Sequence, residues 1–410
     1  MRRLLLIVVL GCVIPTPTFA AKCTINEDMV FVIDGKKVFP IGFTMPPPPE
    51  GKTPAGKNGI DELHDAGATF LRTGVMGTNW DEATFELQQK WLDAAARNHM
   101  YVLFNLREAS SIDAQHPKNE ELLRKILARF KDHPALACWK GVDEPQWGKH
   151  PIGPMVAAYQ LIKQIDPDHP MWVNHAPRGE IEDLKPYNVA LDITGADIYP
   201  IGYPPGAHSL RANKNISMVG DYTRLMMEMA ENKQPVCMVL QIAWSGVIKE
   251  GKTLRFPTFA EERFMTYQAI INGSRGLLYF GGHIGKACTA EDAKLGWNWT
   301  FWNRVLRPVV EEIGEKSPLY PALVAGDSKL PVKCSGEGVE FVVREVGNEL
   351  FILACKREGA TIQARFTGLP TNSGTGEVVY ESPRTVEAKN GSFSDWFGPF
   401  EVHVYRFGRQ

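Results

Sequence analysis

What the chain lacks narrows the field first. It carries 45 Lys+Arg against 47 Asp+Glu over 410 residues, so there is no basic stripe with which to follow a nucleic-acid backbone. Seven cysteines contain no CxxC pair and no dense framework, which excludes a small disulfide scaffold and a thiol redox motif. Ten histidines include no HExxH and no Cys/His cluster at ligand spacing, so neither a metal nor another cofactor is expected. A GxSxG elbow and a P-loop are both missing. No internal repeat is present, and no low-complexity tract beyond the prolines of "MPPPPEGK". The early apolar run Leu4 to Leu10 is too short to span a bilayer.

That run reads instead as part of an export signal. Arg2 and Arg3 supply the positive start, and Thr18-Phe19-Ala20 is a small-residue cleavage site. A secreted or periplasmic protein is expected; the competing form is a lipoprotein anchored through Cys12, whose motif Leu10 fits poorly. Cys138 and Cys237 lie inside apolar runs and read as buried thiols. Cys334 and Cys355 flank successive strand-like segments and are candidates to pair.

The remainder alternates. "MVFVIDGKKVFPIGFT" holds an Asp-Gly turn between apolar arms, a hairpin signature. Apolar strand-like runs then recur at 39–44, 69–73, 101–106, 135–139, 171–174, 193–198, 236–241 and 276–280. Helical patterns separate them, and a last helical segment runs over 299–313. Continuous apolar strands in strict alternation with helices point to a parallel (β/α)8 TIM barrel. An open doubly wound sheet would carry a glycine-rich phosphate turn after its first strand, where "TMPPPPEGK" stands. From Pro318 onward short alternating strands such as "VEFVVREV" and "LFILACKRE" replace helices. The expected organisation is a signal at 1–20, a barrel at 21–317 and a small antiparallel β-sandwich at 318–410.

A barrel places its chemistry at the C-terminal ends of the strands. Those positions hold Arg72 and Trp80, Asn105, Asp143 with Glu144 and Trp147, Asn174 and His175, Asp197 with Tyr199 and Tyr203, Gln241 and Trp244, and His283. Aromatics make up 10% of the chain, and indole rings are good platforms for pyranose faces. "CWKGVDEPQW" puts two adjacent acids between tryptophans. A charged helix N-terminus would explain Asp143 and Glu144 blandly. The functional reading is a proton donor: desolvation by Trp139 and Trp147 and the charge of Asp143 would both raise the Glu144 carboxyl.

"WKGVDEP" after the fourth strand resembles the clan A glycoside hydrolases, whose general acid/base is a glutamate there, most often in an Asn-Glu-Pro setting. The hairpin leading into "PIGF", Arg72, "DIYP" at the sixth strand and the trailing sheet domain resemble that clan too. The resemblance implies a secreted glycosidase acting on a poly- or oligosaccharide, with Glu144 as acid/base. It also implies a glutamate nucleophile closing strand seven, where this chain has Gln241. An amide cannot do that work. Three readings stay open. Asp143 or Asp197 replaces the missing carboxylate; or the substrate assists, as the Asp-Glu pair of family 20 hexosaminidases suggests; or the cleft binds glycans without cutting them. Arg72, Asn174, Tyr199 and Gln241 are the expected hydroxyl-binding residues, with Trp147 and Trp244 stacking on the sugar.

Overall fold

The Asp34-Gly35 turn closes the first hairpin with both residues at positive φ (50° and 81°), as a two-residue turn between right-twisted strands requires. In the computed structural model, which describes residues 20–73, 80–202, 204–207, 209–242, 255–281 and 289–408, this hairpin is β2 (Phe31–Ile33) and β3 (Lys36–Val38). A strand the sequence did not announce, β1 (Cys23–Ile25), pairs antiparallel with β2. The three-stranded sheet closes the barrel floor. Its Cys23, Phe31, Ile33 and Val38 share one buried cluster with barrel residues Phe70, Leu103, Cys138, Trp172 and Cys237.

Eight parallel strands form the closed barrel: β4 (Ile41–Phe43), β5 (Phe70–Arg72), β6 (Tyr101–Asn105), β7 (Leu136–Lys140), β8 (Met171–His175), β9 (Ile193–Ile198), β10 (Cys237–Gln241) and β11 (Gly276–Phe280). β11 pairs with β4, and β9 with β10, so no edge remains. The crossover helices follow the expected apolar faces. Glu82–Arg97, for example, is capped by the Asp81 side chain and buries Phe85, Trp91, Leu92 and Ala95. The last helical segment is interrupted by a π turn at Trp302–Leu306, followed by Arg307–Ile313. Pro308 has no N–H to donate back into that turn, which accounts for the widened ladder.

Inside the barrel, side chains alternate with period two. Phe70, Leu103, Cys138, Trp172, Val239 and Leu278 fill the apolar interior. Two residues further along the same strands stand Arg72, Asn105, Lys140, Asn174, Gln241 and Phe280. On β9 the same face runs Ile193, Gly195, Asp197. The uppermost layer is therefore polar and charged on nearly every strand.

The chain then forms β12 (Lys333–Cys334), β13 (Val339–Val346), β14 (Glu349–Lys356), β15 (Ile362–Thr367), β16 (Gly374–Val379), β17 (Thr385–Ala388), β18 (Ser392–Phe397) and β19 (Val402–Gly408). They make two antiparallel sheets, β12-β15-β18 and β13-β14-β19-β16-β17. Ile352, Ala354, Phe366, Phe393, Tyr405 and Phe407 fill the sandwich between them. Buried Arg263, on the barrel helix Phe259–Ile271, ties this unit down. Its Nε donates to both oxygens of Glu312 (2.8 and 3.0 Å), and its Nη1 to the Val402 carbonyl (2.9 Å). The pairing expected of Cys334 and Cys355 is not found. They belong to opposite sheets, β12 and β14, and both are free thiols, as are buried Cys23, Cys138 and Cys237. Cys12 and Cys288 lie outside the described residues.

Gly195 is where the strand carrying Asp197 passes closest to β10. A Cβ there would lie 1.7 Å from the Cys237 carbonyl oxygen. Gly195→Ala should therefore cost about 3 kcal/mol, the upper end of what overpacking typically costs, read as a lowered midpoint in denaturant unfolding. An unchanged midpoint would contradict the strand register.

Candidate active site

Glu144 stands in the loop after β7 with φ +44°, a left-handed conformation that a glutamate adopts only when its surroundings impose it. Two backbone bonds impose it: Glu144 N–H donates to the Asn174 carbonyl at 3.0 Å, and the Gly148 N–H donates to the Glu144 carbonyl at 2.9 Å. Residues 143–149 form a turn, and the next helix starts only at Ile152 after Pro151. The helix-cap explanation for the two acids therefore fails. Their place is the barrel mouth.

Three carboxyls meet there in different states. Burial, then the charge of Asp197, then that of Asp143 push Glu144 up to about 8. Burial and Asp143 raise Asp197 to about 6, against the hydrogen bond from Tyr199, the charge of Lys140 and the bond from Asn174. The Tyr199 hydroxyl donates to Asp197 Oδ2 at 2.7 Å and Asn174 Nδ2 to Oδ1 at 2.9 Å, which fixes that carboxyl by both oxygens. Asp143 goes the other way. Protein surrounds it in the concave mouth, and burial alone would raise it, although its side chain is 53% exposed to water. The charges of Lys140 and Arg72, the bond from Lys140 and the charge of Arg107 overcome that and bring it to about 2. Lys140 is fully buried and donates to Asp143 Oδ1 at 2.8 Å. At neutral pH the mouth thus holds a protonated Glu144 beside two ionised aspartates. That is the state of a proton donor with a carboxylate partner.

The other expected residues fall into place unevenly. Arg72 is buried, its Nε donating to the Thr44 carbonyl (3.1 Å), and it faces Asp143 electrostatically. Asn174 spends an amide N–H on Asp197, and its Oδ1 has no partner among the described residues. Tyr199 lies against Phe280, ring centroids 5.3 Å apart. Trp147 is 56% exposed at the rim. Gln241 is corrected by its contacts. It is fully buried, its Oε1 accepts from Ile201 N–H (2.7 Å), and its Nε2 donates to the Ile201 carbonyl (2.9 Å), so it serves the backbone and does not open onto a ligand. Trp139 is corrected as well. Strand alternation turns it outward, where its indole donates to Asp166 (2.7 Å), so it does not desolvate Glu144. Trp80 packs on Phe85 and Phe104, and His175 is buried with neither ring nitrogen bonded among the described residues; burial and Lys140 lower it to about 4. Trp244, Tyr203 and His283 lie outside the described residues.

Sequence reasoning missed Lys140, Arg107 and Arg178. Lys140 had a signal: it is the one charge closing the apolar run "LACWK", two residues past an interior position. Arg107, at φ +49°, and Arg178 sit in loops with no such pattern.

No protein-family model matches this chain, and no curated protein matches it. Solved structures do. A glycoside hydrolase superposes with TM-score 0.62 at 13% identity over 95% of this chain and 97% of its own. A glycoside hydrolase family 5 protein from Bacteroides vulgatus gives 0.61 at 12% over 95% and 93%. An endoxylanase of family 30 from Clostridium papyrosolvens gives 0.53 at 10% over 92% and 97%. The fold is shared with glycoside hydrolases over nearly the whole chain. At such identities the likeness reaches the fold and stops there.

The raised Glu144 has a consequence that needs no substrate. Its carboxyl titrates higher in the folded chain than in the unfolded one, so the stability it contributes is complete below about pH 4.5 and is lost as pH rises toward 8. Glu144→Gln should leave the melting temperature nearly unchanged at pH 4 and raise it relative to the parent at pH 8 and above. Equal melting temperatures at both pH values would contradict a protonated Glu144.

Proposed function

We propose that the protein is a glycosidase that cleaves O-glycosidic bonds of a poly- or oligosaccharide, with Glu144 as general acid. The observation that carries this reading is the pair formed by Glu144, held protonated, and Asp197, held ionised by two donors in the same mouth. Glu144 would deliver its proton to the leaving oxygen while Asp197 acts as partner carboxylate, activating water or stabilising the cationic sugar. Asp143, clamped by Lys140, lends the negative charge that helps keep Glu144 protonated. The barrel shared with glycoside hydrolases supports this reading. No helix among the described residues is long and apolar enough to cross a membrane. We place residues 1–20 as an export signal, a proposal that N-terminal sequencing of the mature protein tests.

One observation favours a second reading, glycan binding without hydrolysis: the strand-seven position is an amide that serves the backbone of Ile201. Product release from a broad panel of glycosides and polysaccharides separates the two. The parent should release sugar in a bell-shaped pH profile between about 6 and about 8, the two values belonging to the coupled pair. Glu144→Gln and Asp197→Asn should each lower kcat at least about 100-fold, the lower end of what general acid–base catalysis contributes. Asp143→Asn should instead move the alkaline limb to lower pH, because a neighbouring charge that raises Glu144 is gone. No release on any substrate, with glycan binding intact, would establish the binding reading instead.

A further inference from the structure

The cations around the mouth are not equally occupied. Lys140 is bonded to Asp143, Arg107 lies 3.6 Å from Glu108, and Arg72 donates to the Thr44 carbonyl. Arg178, in the loop after β8, is different. Among the described residues no carboxylate lies within ion-pair distance of its guanidinium, whereas its neighbour Arg211 is paired with Glu180 at 2.9 Å. The Arg178 guanidinium instead lies 5.8 Å from the ring centroid of Trp147, the exposed aromatic at the rim. It is close enough to Glu144 for its charge to oppose the rise of that carboxyl.

The loop that carries it is held in place. The Tyr222 hydroxyl donates to the Pro177 carbonyl at 2.7 Å, and Arg178 N–H donates to the Ala176 carbonyl at 2.7 Å. Gly179, at φ +82°, brings the loop against Gln146, whose amide would lie 3.3 Å from a Cβ there. The loops after β7 and β8 therefore meet, and next to Glu144 they present an indole with a guanidinium over its ring that has no carboxylate partner among the described residues.

We propose that Arg178 and Trp147 form a subsite for an anionic sugar unit, so that the glycan taken by this cleft carries a carboxylate or a sulfate group. The proposal rests on the cleft being a glycan site. The indole receives the apolar face of the ring, and the planar guanidinium fork receives two oxygens of the anion. Both candidate anions present that oxygen pair; a uronate and a sulfate ester are its two sources.

The test is calorimetric titration of the full chain carrying Glu144→Gln, so that no turnover disturbs the signal. The probes are a uronate-containing oligosaccharide, the same oligosaccharide after reduction of its carboxyl groups, a sulfated oligosaccharide and a neutral one. Adding Arg178→Gln should weaken binding of the anionic probe by about 10- to 100-fold, the range for a hydrogen bond to a charged group. Binding of the neutral probe should change by less than about twofold. Arg178→Lys should recover only part of the loss, since an ammonium cannot make the paired contact. The anionic affinity should also fall with added salt. Thermal unfolding of each variant checks that the fold survives. A uronate preference abolished by carboxyl reduction identifies the carboxylate as the source, and a preference kept only by the sulfated probe identifies the sulfate. Equal affinity for anionic and neutral probes, or an anionic preference indifferent to Arg178, would overturn the subsite. Cleavage of neutral glycans alone by the parent would also overturn it while leaving the hydrolase reading standing. Arg178-dependent binding of anionic glycans that the parent never cleaves would support the subsite and sink hydrolysis.

Discussion

Mutual repulsion among Asp143, Glu144 and Asp197 is the constraint around which the mouth is organised. Three carboxyls gathered at the top of one barrel cannot all ionise at neutral pH without a compensating arrangement of charge and dipoles. The structure resolves the conflict by giving each a different neighbour. Asp143 receives the fully buried ammonium of Lys140, Asp197 receives two neutral donors, and Glu144 receives no donor to its carboxyl among the described residues and keeps its proton. The order of titration follows from those neighbours, from about 2 through about 6 to about 8. Three different protonation behaviours are thus built from nearly identical side chains.

Lys140 links this electrostatics to the fold. A lysine facing the interior of a barrel is costly unless it is paired, and Asp143 is three residues away across the turn that follows β7. The pairing in turn depends on the tight bend at Glu144, whose positive φ is held by Asn174 on the adjacent strand. Asn174 therefore acts twice, its carbonyl on the backbone of Glu144 and its amide on the carboxyl of Asp197. A single strand end couples the geometry of the two residues. The floor contributes from the opposite side. The sheet β1-β2-β3 and the packed layer of Phe70, Trp172 and Cys237 leave the polar layer one way to face, toward the mouth.

Much of this could be read from residues, and what could not has physical causes. The eight strands announced themselves because parallel barrel strands are apolar on both faces, and their ends stood out because charge begins there. Glu144 and Asp197 followed from that rule alone. Trp139 misled because proximity in sequence was taken for proximity in space; strand alternation sends it outward to Asp166. Arg178 was invisible because a loop has no period, and its position depends on Tyr222 from a helix about forty residues away. β1 was missed because three residues, "CTI", carry too little pattern to mark a strand. Cys334 and Cys355 looked like neighbours across a hairpin and lie on opposite sheets instead, a separation set by how the sandwich is wound and not by the residues near them.

Gln241 shows why a missing carboxylate is not by itself a sign of decay. The side chain there meets a peptide group end on, accepting from Ile201 N–H and donating to the Ile201 carbonyl. An amide is the neutral group that does both at once. An ionised glutamate in its place would satisfy the N–H and leave its second oxygen against the carbonyl, buried and repelled. It would also add a third negative charge to a mouth that already holds two ionised aspartates. The amide holds the segment that follows Asp197 and Tyr199 along the chain, so the side chain at the end of β10 steadies the carboxylate on β9. Position 241 is suited to an amide as it stands, and the carboxyls that the mouth brings together among the described residues are those of Asp143, Glu144 and Asp197.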